Sequence, residues 1–379
     1  MKKRIPGRQR QFSLQWIGAA PAGQARAAML IPQYNESSKS CIIERLRYFN
    51  ELAGRFIGKI DVVMIDDGST DNSLYEITRY ATEENAKFFV ASVSPNGNKV
   101  GALAVVTQAV SHEYVMLSDL DTDIEGLDHL LAELDLMTLD DDVMGCYFRM
   151  LPFNGTGPIF MFQQMEYCIA RCFYRFHRKD RSVSVMPGAG CCFKRKVLEQ
   201  VYWSHTGLRN GEDREATMIG LMNGYKVDYA SKVIALTRPP LTFKNLCVQR
   251  IRWYLGYIET LFLQKGFNTL SFASHSSLKT KFIIDFLLVL FVLCFPVLSI
   301  IIGLWNPLFL LFFFGIIYLT SITWCICLLL LSPEEPRNSR MNVPVSVLLF
   351  PPIKLAIDFM GWTGAFRKFI SNNYKQIRK

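Results

Sequence analysis

The stretch from Phe282 to Leu331 contains a single charged residue, Asp285. A helix of about 20 apolar residues crosses the hydrocarbon core of a bilayer. The stretch is long enough for two such helices, and Trp305, Asn306 and Pro307 break it near its middle. Two transmembrane helices are therefore expected within 282–331, roughly Asp285–Leu304 and Leu308–Leu331, joined by a very short turn. The alternative is one apolar hairpin buried in a soluble protein. Lys279 and Lys281 precede the first helix, Arg337 and Arg340 follow the second, and the turn carries no charge. Basic flanks stay in the cytoplasm, which puts both termini on the cytoplasmic face of an inner or plasma membrane. A third apolar patch, "VPVSVLLFPPIKLAIDFMGW", holds Pro344, Pro351, Pro352, Lys354 and Asp358. Residues 332–379 are expected to form an interfacial or re-entrant segment and a basic cytoplasmic tail, because a third full span would carry "FRKFISNNYKQIRK" outside.

The rest of the chain divides by charge and pattern. Residues 1–25 are basic and lack a long apolar core, so they read as a basic tail, disordered or lying on anionic lipid, and as neither a signal peptide nor a span. The chain carries a net charge of +9, and the run Arg171–Arg181 interleaves basic and aromatic residues. That mixture occurs in nucleic-acid binders, but anionic headgroups beside a membrane-facing domain account for it with fewer assumptions, and no nucleic-acid partner is expected. The 10 cysteines show no paired CxxC spacing. That is the usage of reduced, buried thiols rather than of a disulfide framework or a zinc site.

From residue 26 onward, short apolar runs end in polar, acidic loops. "AAMLIPQYNE", "KIDVVMIDDGSTDNS", "AKFFVASVSPNGN" and "EYVMLSDLDTD" each read as a strand and the loop after it. Helical spacing fills the gaps: Ser37 to Phe56, Asn72 to Asn85 with Asp71 as a cap, and Val100 to Val110. Such alternation implies a parallel sheet with right-handed crossovers, whose ligands bind beyond the carboxyl ends of the strands. Tyr34, Asp66, Asp67, Asp119, Asp121 and Asp123 all fall just past strand ends, so they are expected to gather on one edge although far apart in sequence. No GxGxxG opens the first helix, which argues against a nicotinamide or flavin enzyme. Carboxylates collected on one edge call for a cation, and oxygen donors suit Mg²⁺ or Mn²⁺, held by one or two carboxylates and completed by substrate phosphates.

Eight segments, in one order, resemble the family-2 inverting glycosyltransferases. "IPQYNES" and "VMIDDGSTDNS" are similar to their first two strand-loop units, "NGNKVGAL" to the GKxxAL stretch, and "DLDT" to the DSDT of the processive synthases. "QQMEYCIARCFYR" is similar to the MEY helix of that group, "PGAGCCFKRKVL" to its small-residue acceptor loop, "GEDREATMIGLMNGYKVDYAS" to its catalytic segment, and "QRIRW" to QxxRW. The likeness spans Met29–Trp253 and is greatest to hyaluronan, chitin-oligosaccharide and poly-N-acetylglucosamine synthases. It implies an α/β nucleotide-diphospho-sugar transferase domain of A type, Rossmann-like with a mostly parallel sheet, at 26–245. An amphipathic interface region with QxxRW would follow at 246–281, and then the transmembrane helices.

The resemblance also implies roles. Tyr34 would stack on the nucleotide base, flanked by Pro32 and Glu36, and Asp67 would accept a hydrogen bond from a uracil N–H. Lys99 would stand near the diphosphate, Asp119 would hold the nucleotide and Asp121 the metal ion, while Asp123 lies outside the pattern and is expected to be solvated or to stand behind the metal ligand. Asp213 would be the general base, with Glu212 beside it. Gln249, Arg250, Arg252 and Trp253 would meet diphosphate and acceptor, Arg252 forking onto phosphate and Trp253 stacking on a sugar ring. The implied reaction is transfer, with inversion, from a UDP-sugar such as UDP-N-acetylglucosamine or a related hexose donor to a growing β-linked polysaccharide or oligosaccharide. Export would call for a partner or a homo-oligomer. The alternative acceptor is a lipid (ceramide, diacylglycerol or polyprenyl phosphate) that takes one sugar. A third possibility is a catalytically dead nucleotide-sugar-binding subunit.

Overall fold

The structure is a computed structural model that describes residues 12–37, 42–273, 277–330 and 342–377. Residues 1–11, Arg337, Arg340 and the side chains of 171–177, within the basic run, lie outside what it describes. Two compact units account for the described chain, one within Lys2–Arg149 and Ser184–Ala235, the other within Met150–Val183 and Leu236–Lys379.

The first unit begins with β1 (Ser13–Ile17), β2 (Ala27–Gln33), α1 (Ile42–Arg55), β3 (Ile60–Asp66), α2 (Ser73–Glu83), β4 (Phe89–Ser94), α3 (Asn98–Ala109) and β5 (Tyr114–Leu117). It continues with β6 (Thr122–Glu125), α4 (Leu127–Thr138) and β7 (Val143–Pro152). The chain then enters the second unit through α5 (Pro158–Asp180) and returns for β8 (Cys191–Lys194), α6 (Arg195–Ser204), α7 (Glu212–Met222) and β9 (Lys226–Thr237). The strands form one sheet in the order β1-β4-β3-β2-β5-β8-β7-β9-β6. The four strands read from the sequence are its parallel centre: β2 pairs with β3 and β5, and β3 with β4. Antiparallel pairings of β1 with β4 and of β8 with β5 and β7 make the whole sheet mixed. Central strands covered on both faces need continuous apolar runs, and β5 is buried at every position while β2 is buried at all but Pro32. The helix α1 turns Ile42, Leu46, Phe49 and Leu52 inward at the spacing of one helix face. At α2 the expected cap is in place, with the Oδ1 of Asp71 accepting the Ser73 N–H at 3.0 Å.

Two boundaries differ from expectation. The stretch expected as a basic tail, 1–25, contains β1, which pairs Ser13–Ile17 with Ser94–Val90 at the sheet edge. A strand there is held by its neighbour's backbone and needs little apolar sequence of its own. The helix α5, expected inside the 26–245 domain, belongs to the second unit, because Phe162 and Met165 pack with Leu246, Cys247, Cys325, Val347 and Phe350.

The second unit continues with α8 (Phe243–Leu263), α9 (Lys265–Ala273), α10 (Ser277–Trp305), α11 (Pro307–Leu330) and α12 (Val343–Ile377). Among the described residues, three helices are long and apolar enough to cross a membrane: α10, α11 and the Val343–Asn372 part of α12. The first two match the expected pair. The third is the segment expected to be interfacial or re-entrant; it runs as one helix through Pro351 and Pro352 instead of turning back. Free thiols are found at eight described cysteines, six of them buried, with Cys294 and Cys327 exposed on α10 and α11.

Candidate active site

In the first unit the parallel register sets Gln33 beside Asp66, and Asp66 beside Ser92. The loops after β2, β3, β4 and β5 consequently leave the sheet side by side. Tyr34 is 38% exposed on the first of them, with Pro32 and Glu36 half-buried around it. The loop after β3 is tied down from within: Asp66, buried, accepts from the Gln33 side chain and from the Ser69 N–H, the latter at 3.1 Å. Asp67, 3% exposed, accepts the Gly97 N–H at 2.7 Å and the Asn96 amide at 3.2 Å. The acid assigned to the base thus also fastens the second loop to the third.

Gly68 lets these loops meet. Its φ is +65°, and a Cβ there would stand 2.9 Å from the backbone N of Asn96. Backbone cannot yield as a side-chain tip can, and a non-glycine residue in that region is strained by roughly 1–3 kcal/mol. Gly68→Ala is expected to lower the melting midpoint and to weaken nucleotide binding together, as thermal unfolding with and without UDP would reveal.

Lys99, two residues beyond Gly97 in the first turn of α3, is the hub. Its Nζ lies 2.5 Å from Asp119 Oδ1, 3.8 Å from Glu212 Oε1 and 3.4 Å from the Gly188 carbonyl. One ammonium so joins the acidic loop after β5, the first turn of α7 and the small-residue loop before β8. Burial works against its charge, but Asp119 and Glu212 outweigh that and hold it protonated. Asp213 accepts the Gly188 N–H at 3.3 Å and the Arg214 N–H at 2.8 Å. Gly211, at φ 73°, turns the chain into α7 so that both acids begin the helix. Burial pushes both carboxyls up, the charge of Asp213 adding to the effect at Glu212 and Lys99 opposing it at each.

A brace beneath this turn escaped the sequence reading. His205, buried, accepts the Gly207 N–H at Nδ1 (3.0 Å), and its Nε2 stands 3.0 Å from the Glu212 carbonyl. The ring with its proton on Nε2 satisfies both contacts. Glu215, fully buried one turn along α7, accepts the Thr206 N–H at 3.2 Å and its hydroxyl at 2.8 Å. His205 and Glu215 thus hold the acidic turn from beneath.

Asp121 accepts the Thr122 hydroxyl at 3.1 Å. Although the residue is exposed at the rim, desolvation around its carboxyl group, and then the charge of Asp119, push that group up to about 6, with Lys99 and Arg45 opposing. An exposed carboxylate with a second acid, Asp119, two residues before it fits a divalent ion. Among the described residues no three His, Cys, Asp or Glu side chains converge as metal ligands. One or two carboxylates, with a diphosphate supplying the remaining oxygen donors, would be the set for Mg²⁺ or Mn²⁺. Of the two expectations for Asp123, solvation does not hold: it is mostly buried and paired with Arg45 at 2.6 Å.

The four QxxRW residues lie on α8, in the second unit. Arg252 and Trp253 are exposed and Gln249 is half-buried. Arg250, expected to meet diphosphate and acceptor, is only 1% exposed: it pairs with Glu166, donates to the Gln249 side-chain oxygen at 3.2 Å and lies 4.1 Å over the Trp253 ring. Its helix position turns it toward α5 instead of outward, so it organises its neighbours and presents no free fork to a phosphate.

The class is that of an α/β domain with a mixed sheet, whose acid-bearing loops stand at the ends of adjacent parallel strands. Residues 114–332 match the family described as "Glycosyl transferase family group 2", and the chain belongs to that family. It is 25% identical over 202 residues to a poly-beta-1,6-N-acetyl-D-glucosamine synthase of Staphylococcus epidermidis, covering 53% of this chain and 48% of that one. It is 25% identical over 240 residues to an N-acetylglucosaminyltransferase of Azorhizobium caulinodans, covering 60% and 58%. The chain spans about half the length of the curated relatives it matches. Among solved structures, a mannosyltransferase from Pyrobaculum calidifontis, in complex with GDP-Man and Mn²⁺, is alike in fold. That match has a TM-score of 0.51 and 16% identity, covering 94% of this chain and 90% of that one.

Proposed function

We propose that this protein is a membrane-bound, metal-dependent, inverting glycosyltransferase. It transfers a sugar from a UDP-sugar, UDP-N-acetylglucosamine or a related hexose donor, to a growing β-linked polysaccharide or oligosaccharide. The observation that carries this reading is the meeting, through Lys99, of the Asp119 loop with the first turn of α7. A donor diphosphate and an acceptor base are wanted at one rim, and those two segments would supply them. Tyr34 and Asp67 hold the base and Asp119 helps hold the nucleotide, while Asp121 would hold Mg²⁺ or Mn²⁺, which when bound neutralises the leaving diphosphate. Asp213 takes the proton from the acceptor hydroxyl. The basic flanks of α10 favour a cytoplasmic catalytic domain on an inner or plasma membrane. The names of the curated relatives support an N-acetylglucosamine donor.

The test is a thermal-shift screen of UDP-, GDP- and dTDP-sugars with and without Mn²⁺, since a ligand that binds only the native state raises its melting midpoint. UDP-sugars with Mn²⁺ are expected to give the largest shift; a response confined to GDP-sugars would overturn the uracil assignment at Asp67. The same assay carries a pH prediction. Burial pushes Asp67 up to about 6, the Gly97 N–H opposing this and Asp66 adding to it. Between its ordinary value near 4 and about 6, the folded protein keeps a proton that the unfolded chain has lost, so this group adds stability as pH falls through that window. Uracil recognition needs the ionised form, so UDP affinity is expected to weaken below about pH 6 by up to about tenfold per unit. Asp67→Asn would flatten that slope, measured by UDP titration between pH 5 and 8.

A further inference from the structure

We propose that Arg45, on α1, is a positioning residue that sets the geometry of the metal-binding acid Asp121 by clamping the backbone on both sides of it. The inference rests on the metal-dependent reading above and assigns a residue to it from outside every sequence segment that suggested that reading.

The Nε of Arg45 donates to the Leu120 carbonyl at 2.6 Å and one terminal nitrogen donates to the Thr122 carbonyl at 3.1 Å. The other terminal nitrogen pairs with Asp123 Oδ1 at 2.6 Å. The carbonyls immediately before and after Asp121 are therefore held by one planar group. A guanidinium can do this because its donors form a rigid fork; an ammonium on a flexible stem cannot reproduce that spread. The clamp is itself immobilised. Arg45 is 5% exposed, and its guanidinium carbon lies 4.7 Å from the centre of the Tyr48 ring and 5.3 Å from that of Phe49. One helical turn supplies a further tie, since the Tyr48 hydroxyl accepts the Ile124 N–H at 2.6 Å. Residues 120–124 are thus fixed from one face of α1, leaving the Asp121 carboxylate as the part of the loop that a metal ion would engage. Asp123 has its place in the same arrangement: it neutralises the buried guanidinium, which is why this chain tolerates a third acid in the loop.

Groups that orient a metal ligand without touching the metal change its affinity by about 10–100-fold when altered. The test is Mn²⁺ titration of the full-length protein in the presence of UDP, read from the EPR signal of free Mn²⁺, alongside the melting midpoint without ligands. Arg45→Lys is expected to raise the Mn²⁺ concentration for half-saturation by about 10–100-fold, and Asp123→Asn, which leaves both carbonyl bonds in place, by less. A lowered melting midpoint with an unchanged Mn²⁺ midpoint would overturn the proposal, because Arg45 would then only hold the fold. If Arg45→Lys does not fold, an unshifted Asp123→Asn overturns it equally. A wild-type protein that binds no Mn²⁺ with UDP would overturn the metal reading and the clamp with it, whereas wild-type binding with unshifted variants would overturn the clamp alone.

Discussion

Asp213→Asn is expected to lower sugar transfer by about 10²–10⁴-fold, the usual contribution of a positioned general base, while leaving UDP binding nearly unchanged. The side chain keeps its shape; its two oxygens accept separately, Oδ2 from the Gly188 N–H at 3.3 Å and Oδ1 from the Arg214 N–H at 2.8 Å, so the amide oxygen keeps one of these two bonds. What is lost is a site for the acceptor's proton. Transfer of radiolabelled sugar from the donor, set beside UDP titration, separates the two quantities, and unaltered turnover would remove Asp213 from the base role. The length of the labelled product distinguishes a polymer from a single sugar on lipid. A pH dependence accompanies this. Burial pushes Glu212 and Asp213 up, and Lys99 pulls both down. The base acts unprotonated, so turnover is expected to fall with decreasing pH above the ordinary carboxylate range. Lys99→Met would move that limb to higher pH still.

Glu166→Gln is expected to destabilise the second unit by about 3–5 kcal/mol, the typical cost of stranding one member of a buried ion pair. Arg250 is 1% exposed and its charge is met by Glu166. Glu166 also stands 3.8 Å from Lys354 of α12, which in turn bonds Asp358 at 2.7 Å. Tyr254 of α8 donates to the same Asp358 at 2.5 Å. Charges on α5, α8 and α12 therefore form one chain of contacts, and removing its central carboxylate leaves two cations facing each other. Thermal unfolding in detergent would show a lowered midpoint, and adding Arg250→Met to Glu166→Gln is expected to recover most of it, because the uncompensated guanidinium is then gone. Loss of stability without such recovery would mean that Glu166 matters for packing instead of charge.

Much of the first unit was legible along the chain, because local patterns carry it. A strand covered on both faces must read as an unbroken apolar run, so β2 to β5 stood out, and the acids just past their ends could be assigned to one edge from parallel topology alone. The two long apolar helices were equally plain, since lipid leaves a helix no use for charge. Elements whose stability comes from elsewhere in the chain were not legible. The strand β1 is half-exposed, and its ladder to β4 has no signature of its own. The helix α5 reads as amphipathic whichever unit it joins, and only its packing partners assign it.

The sequence by itself determined which residue types stand at the ends of which strands, and hence the chemistry available at the rim: carboxylates for a cation, an acid pair for a proton and an aromatic for a base. Only the tertiary structure decided which charges neutralise which. Arg45 meets Asp123, Lys99 meets Asp119 and Glu212, and Arg250 meets Glu166. The physical reason is distance along the chain. Periodicity reports a residue's relation to its own helix or strand, but an ion pair between segments tens of residues apart depends on where two backbones end up, and no local pattern encodes that.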